Sequence, residues 1–235
     1  ILDNMVKNTE YLLGKSLKNR GMQLMVENFG DVPFQKKVGP VTIAAMTRII
    51  RSIVELSSVP VGVNVLRNDP LAALAIAAAT GASFIRVNVH IGAMVTDQGL
   101  IEGQAAQTLR LRDSLNLDVA ILADVGVKHA TPFDNDWTLE QEAKDAWNRG
   151  LADALIVSGR GTGSPTRSED LERIHQAVPN VTLVVGSGVR NETVSEYSLA
   201  SALIVGTAFK RDGCVENEVE LNRVREMCQP SFVSR

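Results

Sequence analysis

Short apolar runs alternate along the chain with stretches whose apolar residues recur every three or four positions. The runs are Met22–Glu27, Val61–Val65, Phe84–Val89, Val119–Asp124, Ala154–Ser158, Val181–Val185 and Ala202–Val205. They are short and rich in β-branched residues, so each predicts a strand. Their starts are separated by roughly 20–40 residues, the size of one β/α unit. Val41 to Leu56 predicts a helix with Ile43, Met46, Ile49, Ile50 and Ile53 on one face. Asp69-Pro70 places a capping carboxylate ahead of a proline at the first helical position. Thr138 to Gln141 opens another helix with a capping-box pattern, and Gly21, Gly81 and Gly150 mark expected helix ends.

Strands that alternate with helices form a parallel sheet, and at 235 residues the chain fits one barrel-sized domain spanning residues 1–235. The expected fold class is α/β, a (β/α)8 TIM barrel. Only seven strand runs occur, and Ile1 to Asn19 has the pattern of a helix, so the first strand is expected upstream of Ile1. A seven-strand open sheet, with two edges to cover, is the alternative.

Composition narrows the partners. The formal net charge of −3 gives no basic excess for a nucleic-acid face. The longest nearly unbroken apolar stretch, Leu71 to Ala79, is too short to span a bilayer, and Ile1 opens no secretory signal, so direct membrane insertion is not expected. The expected compartment is the cytoplasm, or a mitochondrion or plastid if an address segment has been removed. Cys214 and Cys228 have no metal-knuckle spacing and are read as inert. Trp137 and Trp147 are read as packing residues, and homo-oligomer formation stays open.

In such barrels the chemistry sits at the C-terminal ends of the strands. Those ends hold Glu27, Asn28 and Asp31; Asn64 and Arg67; Arg86, Asn88 and, further on, Asp97; Asp124, Lys128 and His129; and Ser158. Arg86 and Asn88 are two apart on one strand and share a face, while Ile85, Val87 and Val89 take the other. Arg86 should therefore point into the barrel, where a buried guanidinium needs a partner, and Glu27 and Asp124 are the candidates. A structural salt bridge and substrate binding are both open readings of it.

Glu27, Asp124, Lys128 and His129 are the expected catalytic groups, able to move protons or, at Lys128, to form a Schiff base. Asn28, Asp31, Asn64, Arg67, Arg86, Asn88, Asp97 and Ser158 are the expected substrate contacts. Gly186-Ser187-Gly188 and Gly206-Thr207 follow the last two strands, where barrels often hold a phosphate on backbone N–H groups and a helix N-terminus. The polar loop with Gly161 and Gly163 could add further N–H groups. No cofactor is certain. Should Glu27, Asp31, Asp97, Asp124 and His129 meet in space, a hard cation such as Mg²⁺ is the metal they would suit. The expected ligand is a phosphorylated small molecule.

Several of these segments form a signature. Glu27 to Phe34, Gly62 to Asp69, Phe84 to Val89, Thr96 to Gly99, Ala123 to Ala130, Ala154 to Gly159 and Val185 to Val189 resemble the BtpA/SgcQ family over nearly the whole chain. The resemblance implies a TIM-type barrel with a further strand upstream. It also implies a link to photosystem I biogenesis in cyanobacterial members. Other members occur beside sugar-uptake genes in bacteria, and in animals, so that link is not general. Two functions follow: an isomerase, lyase or hydrolase on a phosphorylated sugar or nucleotide-like metabolite, or a non-catalytic assembly factor for a membrane complex. An assembly factor would need an exposed apolar patch on the helical outside, and the helical stripes are expected to face the barrel instead.

Overall fold

The computed structural model describes residues 21–134, 136–159, 161 and 164–227. The helix expected over Ile1–Asn19 lies outside these residues, as do Gly163 and Cys228. All seven expected strands are present in one parallel sheet: β1 (Leu24–Glu27), β2 (Val61–Asn64), β3 (Phe84–Val87), β6 (Ala120–Val125), β8 (Ala154–Val157), β9 (Leu183–Val185) and β10 (Ala202–Leu203). They pair in chain order, with β1 and β10 at the two ends of the sheet. The central strands β2, β3 and β8 are buried along their whole length, whereas β1 is half-buried throughout.

Helices α1 (Pro40–Leu56), α2 (Pro70–Thr80), α3 (Ala105–Ser114), α4 (Leu139–Asn148) and α5 (Ser168–Ala177) return the chain between strands. A shorter helix, α6 (Leu221–Met227), follows β10. The predicted stripe of α1 holds: Met46, Ile50 and Ile53 are buried, and Ile43 and Ile49 pack against the same core. Ile85 and Val87 of β3 join that core from the sheet side. A second core forms under α4 and α5 from Val125, Ala143, Ala146, Leu155, Leu171 and Ile174. Trp147 packs there, and Trp137 packs on Val89, Met94, Ile101 and Val127.

Two capping signals act as read. The Thr138 hydroxyl accepts the Gln141 N–H at 3.2 Å. Asp69 accepts the Ala72 N–H at 3.2 Å with one oxygen and the Val38 N–H at 3.1 Å with the other. One carboxylate thus starts α2 and ties down the segment that leads into α1. Asp69→Ala removes both acceptors at a buried position. We expect a loss of about 1–2 kcal/mol in urea unfolding. A variant as stable as the parent would show that neither bond contributes.

Sequence reading missed a second sheet. β4 (Ala93–Thr96), β5 (Gly99–Glu102) and β7 (Ala130–Pro132) form a small antiparallel layer in the order β5-β4-β7. It is built from the segments that follow β3 and β6. Its strands alternate as a half-buried sheet must: Met94 and Ile101 face inward and Val95 and Leu100 outward. The period-2 signal was there, but each strand has only three or four residues, below what a pattern separates from a loop.

Candidate functional site

The C-terminal ends of β1, β2, β3 and β6 project a connected set of polar side chains into the sheet's concave side. Arg86 lies at its centre. Its Nε and Nη2 each meet one oxygen of Asp124 at 2.9 Å, a bidentate pair, and its Nη1 reaches Glu27 Oε1 at 3.3 Å. Arg86 therefore contacts both expected partners. The Asn88 amide donates to Asp124 Oδ2 at 2.8 Å, and the Asn64 amide donates to Glu27 Oε1 at 2.9 Å. The Arg86 and Asp124 side chains are 7% and 1% exposed. Burial works against the Arg86 charge, and the carboxylates of Asp124 and Glu27 more than offset it, so its pKa stands above the ordinary value.

Three polar atoms of this region are buried without a hydrogen-bond partner: Asn64 Oδ1, Asn88 Oδ1 and Ser158 Oγ. Each amide uses its NH₂ on a carboxylate and leaves its carbonyl oxygen as a bare acceptor. Buried polar groups are normally paired, so unpaired ones at the open end of a barrel mark where a ligand's donors would fit.

Two further cations stand beside the central pair. Arg67 is buried, and its Nη2 donates to the Lys128 carbonyl oxygen. Lys128 Nζ reaches across the sheet to the Gly186 carbonyl oxygen at 3.2 Å. Among the described residues neither forms an ion pair; both bond neutral carbonyls. Burial lowers the pKa of Arg67, with Asp124 and Asp97 opposing it. Burial, then the positive charge of Arg86, lowers that of Lys128, while Asp124 and Glu27 oppose. With Lys128 protonated, three cations meet two carboxylates, leaving an excess positive charge.

The remaining expected residues are more dispersed. Asn28 is a latch: its amide accepts the Leu66 N–H at 2.7 Å and donates to the Leu66 carbonyl and to Asp31, both at 3.1 Å. Asp31 is exposed beyond it. Asp97 sits on the exposed tip of the β4–β5 hairpin, bonded by Gln98 at 2.5 Å. His129 is exposed, with a φ of 52°, near Gly161. The condition set for a hard-cation site, that the acidic and imidazole groups meet in space, is not met: among the described residues no group of three or more such side chains converges. Arg86 lies between Glu27 and Asp124, which holds the two apart as partners of a guanidinium.

Ser187 has a different use from the one the motif implies. Its hydroxyl donates to the Ser164 carbonyl and accepts the Gly159 N–H, each at 2.9 Å, and Thr166 bonds the Ser187 carbonyl at 3.2 Å. Gly188 has a φ of 70°, and a Cβ there would lie 2.2 Å from Pro165 Cα. A Cβ on Gly186 would lie 2.3 Å from Ser158 Oγ. These glycines are thus required where the loop after β8 closes on β9. Gly206-Thr207 enters a three-residue 3₁₀ turn, Thr207–Phe209, not an α-helix.

One residue escaped sequence reading altogether. Glu142, in the first turn of α4, is 5% exposed and accepts the Gly126 N–H at 3.1 Å, just ahead of Lys128. Burial raises its pKa to about 7, with the Asp124 charge adding to the effect and the Gly126 N–H opposing it. A glutamate in a first helical turn reads as a dipole-favoured surface residue, and nothing local marks it as buried.

The chain superposes on several solved structures of similar fold. Phosphoribosyl anthranilate isomerase from Thermus thermophilus superposes with a TM-score of 0.59 at 10% identity, covering 97% of this chain and 93% of that one. KGPDC from Streptococcus mutans gives 0.58 at 13%, covering 96% and 90%. Orotidine 5′-monophosphate decarboxylase from Methanocaldococcus jannaschii gives 0.57 at 16%, covering 97% and 92%. At these identities the likeness is one of fold, and it places the chain among TIM-barrel-like α/β proteins. Closer in sequence are the photosystem I biogenesis protein BtpA of Synechocystis, 47% identical over 86% of this chain and 70% of that protein, and the sgc region protein SgcQ of Escherichia coli, 34% identical over 91% and 80%. The BtpA family pattern matches residues 4–231, and with these relatives it establishes that the chain belongs to the BtpA family.

Proposed function

We propose that the protein is an enzyme acting on a phosphorylated sugar or nucleotide-like metabolite, by acid–base chemistry at the C-terminal ends of the strands. One observation carries the reading. Among the described residues, two cations without a carboxylate partner, Arg67 and Lys128, stand beside three buried acceptors without a donor, Asn64 Oδ1, Asn88 Oδ1 and Ser158 Oγ. Cations bonded only to carbonyls suit an anion, and bare acceptors suit hydroxyl groups. A sugar phosphate has both. Glu27 is the proton carrier of choice, because among the described residues only its Oε1 is engaged and its side chain is 24% exposed. Asp124 is held on both oxygens and orients Arg86 and Asn88. Backbone N–H groups near Gly186–Gly188 and Gly206-Thr207 remain candidates for the phosphate. The fold neighbours add support, since the isomerase and the decarboxylase are both named for phosphorylated compounds.

A thermal-shift series tests the reading. Sugar phosphates and nucleotides, run with and without Mg²⁺, are expected to raise the Tm, by mass action on the folded state. Arg67→Ala should cut the shift at least tenfold in apparent affinity. No shift from any phosphorylated compound would sink the proposal.

A second reading, a docking role in assembly of a membrane complex, rests on identity to the Synechocystis relative and on exposed Phe29, Val32, Val95, Leu100 and Phe133. All five lie in segments that follow the C-terminal ends of strands. Among the described residues no helix is long and apolar enough to cross a membrane itself.

A further inference from the structure

We propose that Lys128 is a nucleophile that forms an imine with the open-chain carbonyl of the substrate. The inference rests on the phosphorylated-sugar reading above and narrows it to aldehydes and ketones.

The geometry is that of an amine kept out of ion pairs. Lys128 extends from the segment after β6 to the end of β9, across the mouth of the sheet. Both nearby carboxylates are taken by Arg86: Asp124 through two bonds and Glu27 through one. Among the described residues no carboxylate pairs directly with the Lys128 ammonium, although Asp124 and Glu27 favour it from a distance. The contact Lys128 does make, to the Gly186 carbonyl, consumes one N–H and leaves the nitrogen lone pair of a neutral amine free. Arg67 holds the Lys128 backbone through its carbonyl, so the side chain departs from a fixed point. Burial and the neighbouring guanidinium groups of Arg86 and Arg67 favour the neutral amine, as nucleophilic lysines require.

The step balances without any further reactant. The Nζ lone pair adds to the carbonyl carbon, and the carbonyl oxygen takes up a proton, giving a carbinolamine. The nitrogen gives up one proton, the hydroxyl takes one proton from an acid and leaves as water, and the nitrogen lone pair forms the C=N bond of a protonated imine. Glu27 Oε2, which makes no hydrogen bond among the described residues, is the group able to carry these protons. The protonated imine draws electrons from the adjacent carbon, which serves isomerisation and carbon–carbon cleavage alike.

Borohydride reduction of the whole protein in the presence of ribose 5-phosphate, dihydroxyacetone phosphate or phosphate-free glycolaldehyde tests this. The expected result is one reduced adduct per chain, mapped by peptide mass to Lys128 and lost in Lys128→Arg. The same variant should keep most of the thermal shift with ribose 5-phosphate, since the cation remains. A clear thermal shift with no adduct, or adducts spread equally over Lys36, Lys37, Lys144 and Lys210, would overturn the imine and leave the phosphorylated-ligand reading standing. Trapping of glycolaldehyde at Lys128 with no shift from any sugar phosphate would uphold the nucleophile and overturn the phosphate. Neither shift nor adduct would end both.

Discussion

Arg86→Met is expected to lower stability by about 3–5 kcal/mol, because it leaves the Asp124 carboxylate buried beside an apolar chain. Asp124 is 1% exposed on its side chain, so water cannot replace the two bonds at 2.9 Å. Among the described residues the Asn88 amide would remain as its sole neutral donor. For a chain of this size the loss corresponds to a fall in Tm of about 6–20 °C. The companion variant Arg86→Met/Asp124→Leu removes both charges and should be more stable than Arg86→Met alone. Buried ion pairs are often replaced by apolar residues at little cost, whereas half a pair is expensive. Urea unfolding of the two variants beside the parent decides the matter. A fall under about 1 kcal/mol for Arg86→Met would mean that Asp124 is satisfied by other groups.

Glu142→Gln is expected to stabilise the protein above neutral pH and to flatten its pH dependence. Burial raises the folded-state pKa of Glu142 from 4.5 to about 7. A raised folded pKa means that the folded state binds the proton more tightly than the unfolded state. The stability this group contributes is therefore fully present below about pH 4.5 and is lost as pH rises through about 7. The difference amounts to about 3 kcal/mol. Glutamine keeps a carbonyl oxygen for the Gly126 N–H without ever ionising, so the variant avoids the loss. The measurement is the stability difference between variant and parent at pH 4.5 and at about pH 8. A difference that stays constant across that range would show that Glu142 titrates normally. Because Gly126 precedes Lys128 by two residues, ionisation of Glu142 also bears on the segment that carries the proposed nucleophile.

Much of the fold was legible because parallel strands are buried on both faces and so appear as apolar runs. Val61–Asn64, Phe84–Val87 and Ala154–Val157 are buried at every position, and all three were visible as runs. The caps at Asp69 and Thr138 were legible for another reason: a cap is a contact over three residues, within reach of a local pattern. The inward face of β3 followed from period 2, which set Arg86 and Asn88 against Ile85 and Val87. The need to pair a buried charge then reduced the partners of Arg86 to two carboxylates, and it contacts both.

What the chain alone determined about this protein is therefore its β/α order, the face β3 turns inward and the polar character of one barrel end. These depend on solvent exclusion and on contacts close in sequence. The tertiary structure decided which polar residues are engaged and which are left open. Asn28 closes a latch on Leu66, 38 residues away, and the Ser187 hydroxyl lies on a loop 23 residues back. The small antiparallel sheet needs β4 and β7, which come from separate β/α units, to meet. The buried Glu142 carboxylate finds its donor in the Gly126 N–H, 16 residues away along the chain. Asn64, Asn88, Arg67 and Lys128 look alike in sequence as polar strand-end residues. Only side-chain geometry separates the bonded oxygen from the bare one, because hydrogen bonds are short, directional and made across the fold.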